Sequence, residues 1–428
     1  MNKNFKRYIL FWFSQAVSQF GSAMTSFALV IWAYTQTNSV MAVSLMTFCS
    51  YVPYIIVSLF VGAFIDSHNK KMIMLCSDFI AAVCSLFVVI LWNFGNLQIW
   101  HIYIVNLVIG FMNAFQSPAR SVAIGKLVTE EKLSQASGMD SFSTNLVTVV
   151  SPVLASSVLA YFGLEKVVLV DLATFLFAFL VLLLFIKIPE SMEREAESKS
   201  AIAGCKDGFR FLLAHRGLWY IVITLAVINF FSRLTYENIL SPMILARSGG
   251  DSGILGMVNA VLGIGGIVGG IIVSAGKFSR DKVRMIYFAA GLSFLLGDVL
   301  MGIGRGGIAW SIAGIAASAP IPFIIAGQQT ILYKTIPEEM QGRVFSVRNA
   351  IQFSTIPIGI LLGGSLAEYV FEPFMNSDSS TAKVLHYIVG TGTGSGMAVM
   401  FLCTGILGSV ACVIAYRLKE IQKLRSIQ

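Results

Sequence analysis

The sequence predicts an all-α integral membrane protein of twelve transmembrane helices, and three observations lead there. Of its 428 residues, 56% are hydrophobic and only 12% charged. Soluble domains carry about 25% charged residues, so this chain has too little charge to cover a water-exposed fold of its length. Its apolar residues come in runs near or above the roughly 18–20 that cross a bilayer. A membrane β-barrel would instead show short alternating segments. The third observation is the placement of Lys and Arg, which fall in alternate loops.

The spans are expected at 8–34, 40–65, 72–93, 98–122, 139–162, 167–187, 218–244, 252–275, 285–304, 307–333, 344–370 and 395–416. Lys3, Lys6 and Arg7 precede the first, whose apolar stretch is too long for a signal-peptide core, so it is read as retained. With the N-terminus in the cytosol, the alternating segments hold 25 Lys and Arg inside and four outside: Lys166, Arg247, Arg305 and Lys383. That asymmetry sets orientation. It implies an even number of spans with both termini cytosolic, and it explains the net charge of +8 without nucleic acid as a partner. The protein is expected in the plasma membrane as a monomer.

The longest cytosolic loop, 188–217, separates an N-terminal six-helix bundle, 1–187, from a C-terminal one, 218–428. It opens on a charged run, from Glu190 to Lys199, and turns amphipathic from Ala201. Either a helix on the inner membrane surface or a flexible linker fits that second part. The halves read as a parallel repeat. Lys126, Glu130, Glu131 and Pro152 are echoed by Lys334, Glu338, Glu339 and Pro357, an offset of about 208.

Most chemistry has no foothold here. The histidines (His68, His101, His215, His386) are scattered, and the six cysteines have neither metal-site nor disulfide spacing. No cofactor or metal is expected, and no cluster of catalytic groups suggests an enzyme. The glycine-rich run from Gly390 to Gly396 lacks the lysine of a phosphate-binding loop and falls outside the membrane, so it reads as a flexible lead into the twelfth span.

The loop after the second span carries Gly62, Asp66, Lys70 and Lys71 in the spacing G-x-x-x-D-x-x-x-K-K. It resembles the G-x-x-x-D-x-x-x-R-K signature of the major facilitator superfamily. Gln15-Ala16-Val17-Ser18, Asp78, Phe115-Gln116-Ser117-Pro118-Ala119 and the stretch from Pro337 through Gly342, Arg343 and Ser346 look like its bacterial drug-exporter branch, which includes the macrolide-efflux proteins. The resemblance runs from the first span to the eleventh. It implies two six-helix bundles, alternating access, and a cavity lined by spans one, four, seven and ten. The chain differs in having Ser67 after Asp66 and no arginine within the fourth span.

Asp66 lies at the C-terminal, negative end of its helix dipole, where a carboxylate needs an outside partner. The resemblance supplies one at the start of span eleven, near Gly342 and Arg343. Gly62, one turn earlier, would permit close helix approach. Together these residues would form a cytosolic latch.

Polar groups inside spans are costly. Gln15, Ser18, Gln19 and Ser22 form one stripe of the first span, three and four residues apart. With Asn113 and Gln116 on the fourth span, Asn145 on the fifth and Gln328 on the tenth, they either line the cavity or bond helix to helix. Arg233 and Glu237, four apart in the outer third of span seven, form an outer gate, a proton site or a structural ion pair. Asp171 and Asp298 are further embedded carboxylates, and Arg120 is the expected partner of Asp78. No carboxylate lies in the first span, so no single proton carrier emerges. The resulting expectation is a proton-coupled antiporter that exports amphipathic small molecules. The alternative is an exporter of a siderophore or peptide natural product.

Overall fold

The computed structural model describes residues 3–58, 61, 64–65, 68–188, 201–275 and 281–427, and among them there is helix and turn but no strand. Two compact units emerge: Met1–Asn38 with Leu45–Ala196, and Ser39–Ser44 with Glu197–Gln428.

In the first unit, α1 (Lys3–Thr37) is followed by α2 (Val40–Ser58), whose first turn belongs to the second unit. Next comes α3 (Lys70–Asn93), started by Asn69, whose side chain accepts from Met72 N at 2.8 Å. Such an N-cap satisfies one of the orphan donors of a first turn. After α4 (Ile99–Leu127) runs α5 (Glu130–Leu184). At 1.5 Å per residue the 55 residues of α5 would reach roughly 80 Å, far beyond a ~30 Å hydrocarbon core. Gly163 breaks it, with φ 79° and ψ 174°, a conformation open essentially to glycine alone. α5 is therefore two crossings joined at one residue. Counted so, the eleven membrane-length helical stretches of the described residues make twelve crossings.

The second unit begins with α6 (Ala201–Ala214), α7 (Arg216–Thr235), α8 (Leu240–Arg247) and α9 (Ser252–Ala275). The charged run 190–199 lies outside the described residues. α6 is docked: Leu212 is fully buried in one cluster with Leu218, Ile221, Val344 and Ile421. α10 (Lys282–Leu292) and α11 (Val299–Ile303) are joined by a π-helical turn, Ser293–Asp298. Asp281 caps α10 by accepting from Arg284 N at 2.9 Å. Its counterpart Asn69 lies 212 residues earlier, and the starts of α5 and α14 lie 208 apart, so local architecture repeats between the units.

α12 (Gly307–Ser318) and α13 (Ile321–Thr335) together make the tenth span expected from sequence, broken at one turn. Pro320 lacks the N–H that would carry the ladder through. α14 (Glu338–Leu366) passes through a second π turn, Ala367–Phe371, into α15 (Glu372–Met375). The segment expected as a plain outer loop contains α16 (Ser380–Val389) before α17 (Ser395–Arg417) and α18 (Lys419–Lys423). Arg305 donates to Tyr387 O at 2.9 Å, and Arg247 donates to Val389 O. Both arginines thus sit at the negative end of α16. The glycine run that follows is a built turn: Gly390, Gly392 and Gly394 have φ of 93°, 93° and 88°. Glu372 accepts from Gly394 N at 3.3 Å and Met397 N at 3.0 Å, which seats a carboxylate on the N-terminus of α17.

Each unit has its own core. In the first, Tyr8, Phe11, Met74, Ala119, Ala136 and Leu182 pack together; in the second, the Leu212 cluster includes Val222, Ile286 and Cys412. Large apolar side chains such as Phe79, Phe288 and Ile308 stay exposed, as lipid-facing helices require.

Candidate transport site

The first unit gathers polar groups that lie far apart in sequence. Asp78, buried on α3, accepts a hydrogen bond from the Gln116 side chain of α4. Gln15, 3% exposed on α1, approaches the same carboxyl. The approach is not a well-aligned bond: Gln15 Nε2 and Asp78 Oδ2 are both buried without a hydrogen-bond partner. Two candidate cavity residues, Gln15 and Gln116, are thereby joined through Asp78. Gln19 is half-buried, and Asn113 and Asn145 are exposed on their helices.

Arg120 differs from its expected pairing. Its guanidinium bonds Asp140 on α5 instead of Asp78. Asp140 was passed over in the sequence because it reads as the polar start of a span. Nearby, Tyr8 donates to Ala136 O at 3.0 Å and Trp12 to Met139 O at 2.9 Å, pinning α1 to the early turns of α5.

Of the loop signature, Gly62 and Asp66 lie outside the described residues. Lys71 donates to Leu183 O at 2.8 Å and Ile186 O at 2.9 Å, neutralising the C-terminal end of α5. Lys70 is 7% exposed. In the second unit Gly342 lies in the early turns of α14, and Arg343 donates to Asp207 Oδ2 of α6 at 3.0 Å. Asp207 carried no recognisable signal in the sequence.

Asp171 and Asp298 occupy corresponding three-helix junctions. Asp171 accepts from Ser22 of α1 at 2.9 Å and Ser85 of α3 at 3.0 Å. Asp298 ends the π turn after α10 and accepts from Thr404 of α17 at 2.7 Å, while Tyr236 faces it from just beyond α7. Ser85 and Asp298 are 213 residues apart, Ser22 and Tyr236 214. Each unit therefore buries one carboxylate where its first, third and sixth crossings meet, the acid having exchanged helices between the repeats. Single-sequence periodicity does not reveal such a junction, because its members share no helix.

On α7, Arg233 and Glu237 form an ion pair, the glutamate lying in the turn that ends the helix. Arg233 also reaches Asn229 Oδ1 at 3.4 Å, and Asn229 in turn donates to Gln352 O and Thr355 Oγ1, each at 3.0 Å. Asn229 was missed, although its spacing of four before Arg233 was there to be read. Gln328 is buried on α13, with an unpartnered Nε2. No group of His, Cys, Asp and Glu among the described residues is arranged to hold a metal ion.

A family profile described as Major Facilitator Superfamily matches residues 11–371. Macrolide efflux protein A of Streptococcus pyogenes is 24% identical over 370 residues, 85% of this chain and 90% of that protein. The multidrug efflux pump Tap of Mycolicibacterium fortuitum is 22% identical over 364 residues, 79% of this chain and 83% of that protein. The Staphyloferrin A transporter of Staphylococcus aureus is 25% identical over 276 residues, 63% and 66% of the two chains. Among solved structures, the nucleoside transporter NupG superposes with a TM-score of 0.72 at 12% identity, covering 97% of this chain and all of that one. A bacterial homologue of the iron transporter ferroportin gives 0.68 at 13% identity, covering 98% of this chain and all of that one. With a profile matched over most of its length, on twelve membrane crossings in two six-helix units, this chain belongs to the Major Facilitator Superfamily.

Proposed function

We propose that the protein is a secondary active exporter of amphipathic small molecules, working by alternating access with protons moving inward in exchange. It works as a monomer in the plasma membrane, with both termini in the cytosol. It is a transporter and not an enzyme. The observation that carries this reading is the extent of the similarity to Macrolide efflux protein A, which takes in 90% of that protein and so both of its halves. Embedded polar groups give the reading its chemistry: amides that hold a cargo by hydrogen bonds, and acids that take up and release protons.

Everted membrane vesicles test it. Vesicles carrying the protein should accumulate a radiolabelled macrolide when their interior is acidified, and should lose that accumulation when a protonophore collapses the gradient. Accumulation indifferent to the protonophore would remove the proton from the reading; no accumulation would remove the macrolide-like cargo.

A second reading, export of a siderophore or peptide natural product, is favoured by the match to the Staphyloferrin A transporter. Competition of unlabelled siderophore against macrolide accumulation separates the two.

A further inference from the structure

Asp78 is set apart from the other embedded acids by what its oxygens lack. Asp171 has a hydroxyl donor on each oxygen, Ser22 on Oδ1 and Ser85 on Oδ2. Asp78 has the Gln116 amide on Oδ1 and nothing on Oδ2, although its side chain is buried. Eight residues from Lys70, it lies about 12 Å along α3. An ionised carboxylate there, with a bare oxygen and no paired cation, is a costly arrangement. A proton on Oδ2 removes the charge.

The groups around it and around its neighbour Arg120 are few. From α1 come Gln15, with its own unpartnered Nε2, and Tyr8, whose hydroxyl is given to Ala136 O. From α4 come Gln116 and Arg120, and from α5 Asp140. On α3 itself, Lys71 is committed to carbonyls of Leu183 and Ile186. Arg120 is within through-space reach of Asp78, yet its guanidinium is turned to Asp140 and its buried Nε is unpartnered. Asp140 is far more open to solvent, its side chain 40% exposed against 12% for Arg120. The second unit has no counterpart, because the stretch 212–213 residues further on holds Ala290 and Gly291.

We infer that Asp78 is the exchangeable proton site of this transporter, protonated at Oδ2 in the arrangement seen here, with Arg120 as the group that responds when the proton leaves. The inference rests on the proton-exchange reading above. The step is balanced simply: the O–H bond of Asp78 breaks and its proton passes to water. The carboxylate left behind draws Arg120, and Asp140, open to solvent, is hydrated in its place. One ion pair between α4 and α5 is thereby exchanged for one between α4 and α3. Protonation thus sets which helix α4 is tied to, a change of packing that a rocking bundle can use.

The test uses the full-length protein reconstituted in lipid. Infrared difference spectra across a pH titration read the C=O stretch of a protonated carboxyl directly, without any cargo. That titrating band should be present in the parent, absent in Asp78→Asn and weakened in Asp140→Asn, where Arg120 is free to rest on Asp78. In proteoliposomes, Asp78→Asn should lose at least tenfold of its macrolide transport driven by a pH gradient. Its melting temperature in detergent should stay within a few degrees of the parent's, which shows that it is folded. Asp78→Glu should restore much of the driven transport. A titrating band unchanged in Asp78→Asn, or driven transport unchanged, overturns the assignment. A parent whose transport ignores the pH gradient overturns the proton-exchange reading itself, whatever the spectra of Asp78→Asn show.

Discussion

A single charge inside hydrocarbon costs at least ~2.5–3.5 kcal/mol on insertion scales, so partners matter more here than in water. Arg233 has two, Glu237 and Asn229. If the ion pair is structural, Arg233→Met alone and Glu237→Gln alone should each reduce expression and lower the melting temperature in detergent. The double change should recover most of both, because no unpaired charge remains. If Glu237 instead carries a proton, the double variant stays inactive in gradient-driven transport. Full activity in Glu237→Gln would exclude both roles. At the Asp298 junction, Thr404→Val removes a buried donor from a carboxyl and should cost about 1–3 kcal/mol, read by thermal unfolding.

At the scale of elements, the breaks carry as much information as the helices. Gly163 alone separates two crossings of α5. A side chain at its φ and ψ is strained by about 1–3 kcal/mol. Gly163→Val should therefore lower the melting temperature by several degrees, while Gly163→Ala should fall between it and the parent. A melting temperature unchanged in Gly163→Val would mean the turn relaxes to another conformation. The apolar runs made the crossings legible, because hydrocarbon leaves helix as the way to satisfy a backbone. They did not make the interruptions legible. The π turns at Ser293–Asp298 and Ala367–Phe371 leave no trace in hydropathy, and neither does the break before α8. α16 was hidden for the opposite reason. It is short and amphipathic, and its C-terminal end is held by Arg247 and Arg305 from elsewhere in the chain.

For the whole molecule, orientation and gating are the properties to test. In a cysteine-free background, a cysteine at Ser379 should react with an impermeant thiol reagent in intact cells, and one at Ser198 should not. The reverse pattern would invert the topology. Asp66→Asn keeps the shape of its side chain and removes the charge. If Asp66 is a latch, transport should fall severalfold while the amount of protein in the membrane stays near normal. Unchanged transport would reduce the loop to a topology signal obeying the positive-inside rule.

The sequence by itself determined the fold class, the number of crossings and the expected orientation. All three follow from composition summed along the chain: apolar length sets each crossing, and the side on which Lys and Arg accumulate sets direction. It also yielded the embedded polar residues as a set, because their cost in lipid makes each conspicuous. Only the tertiary structure decided who partners whom. Arg120 was within plausible reach of Asp78 along the helices, yet it bonds Asp140. Asp78 was left to the Gln116 amide of α4, and Asp171 and Asp298 to hydroxyls on other helices. The physical reason is that a partner is a matter of angle and depth between helices. A helix's rotation about its axis is set by packing against neighbours, some more than a hundred residues away in the chain, and a polar side chain in a membrane interior bonds whichever group that packing presents to it.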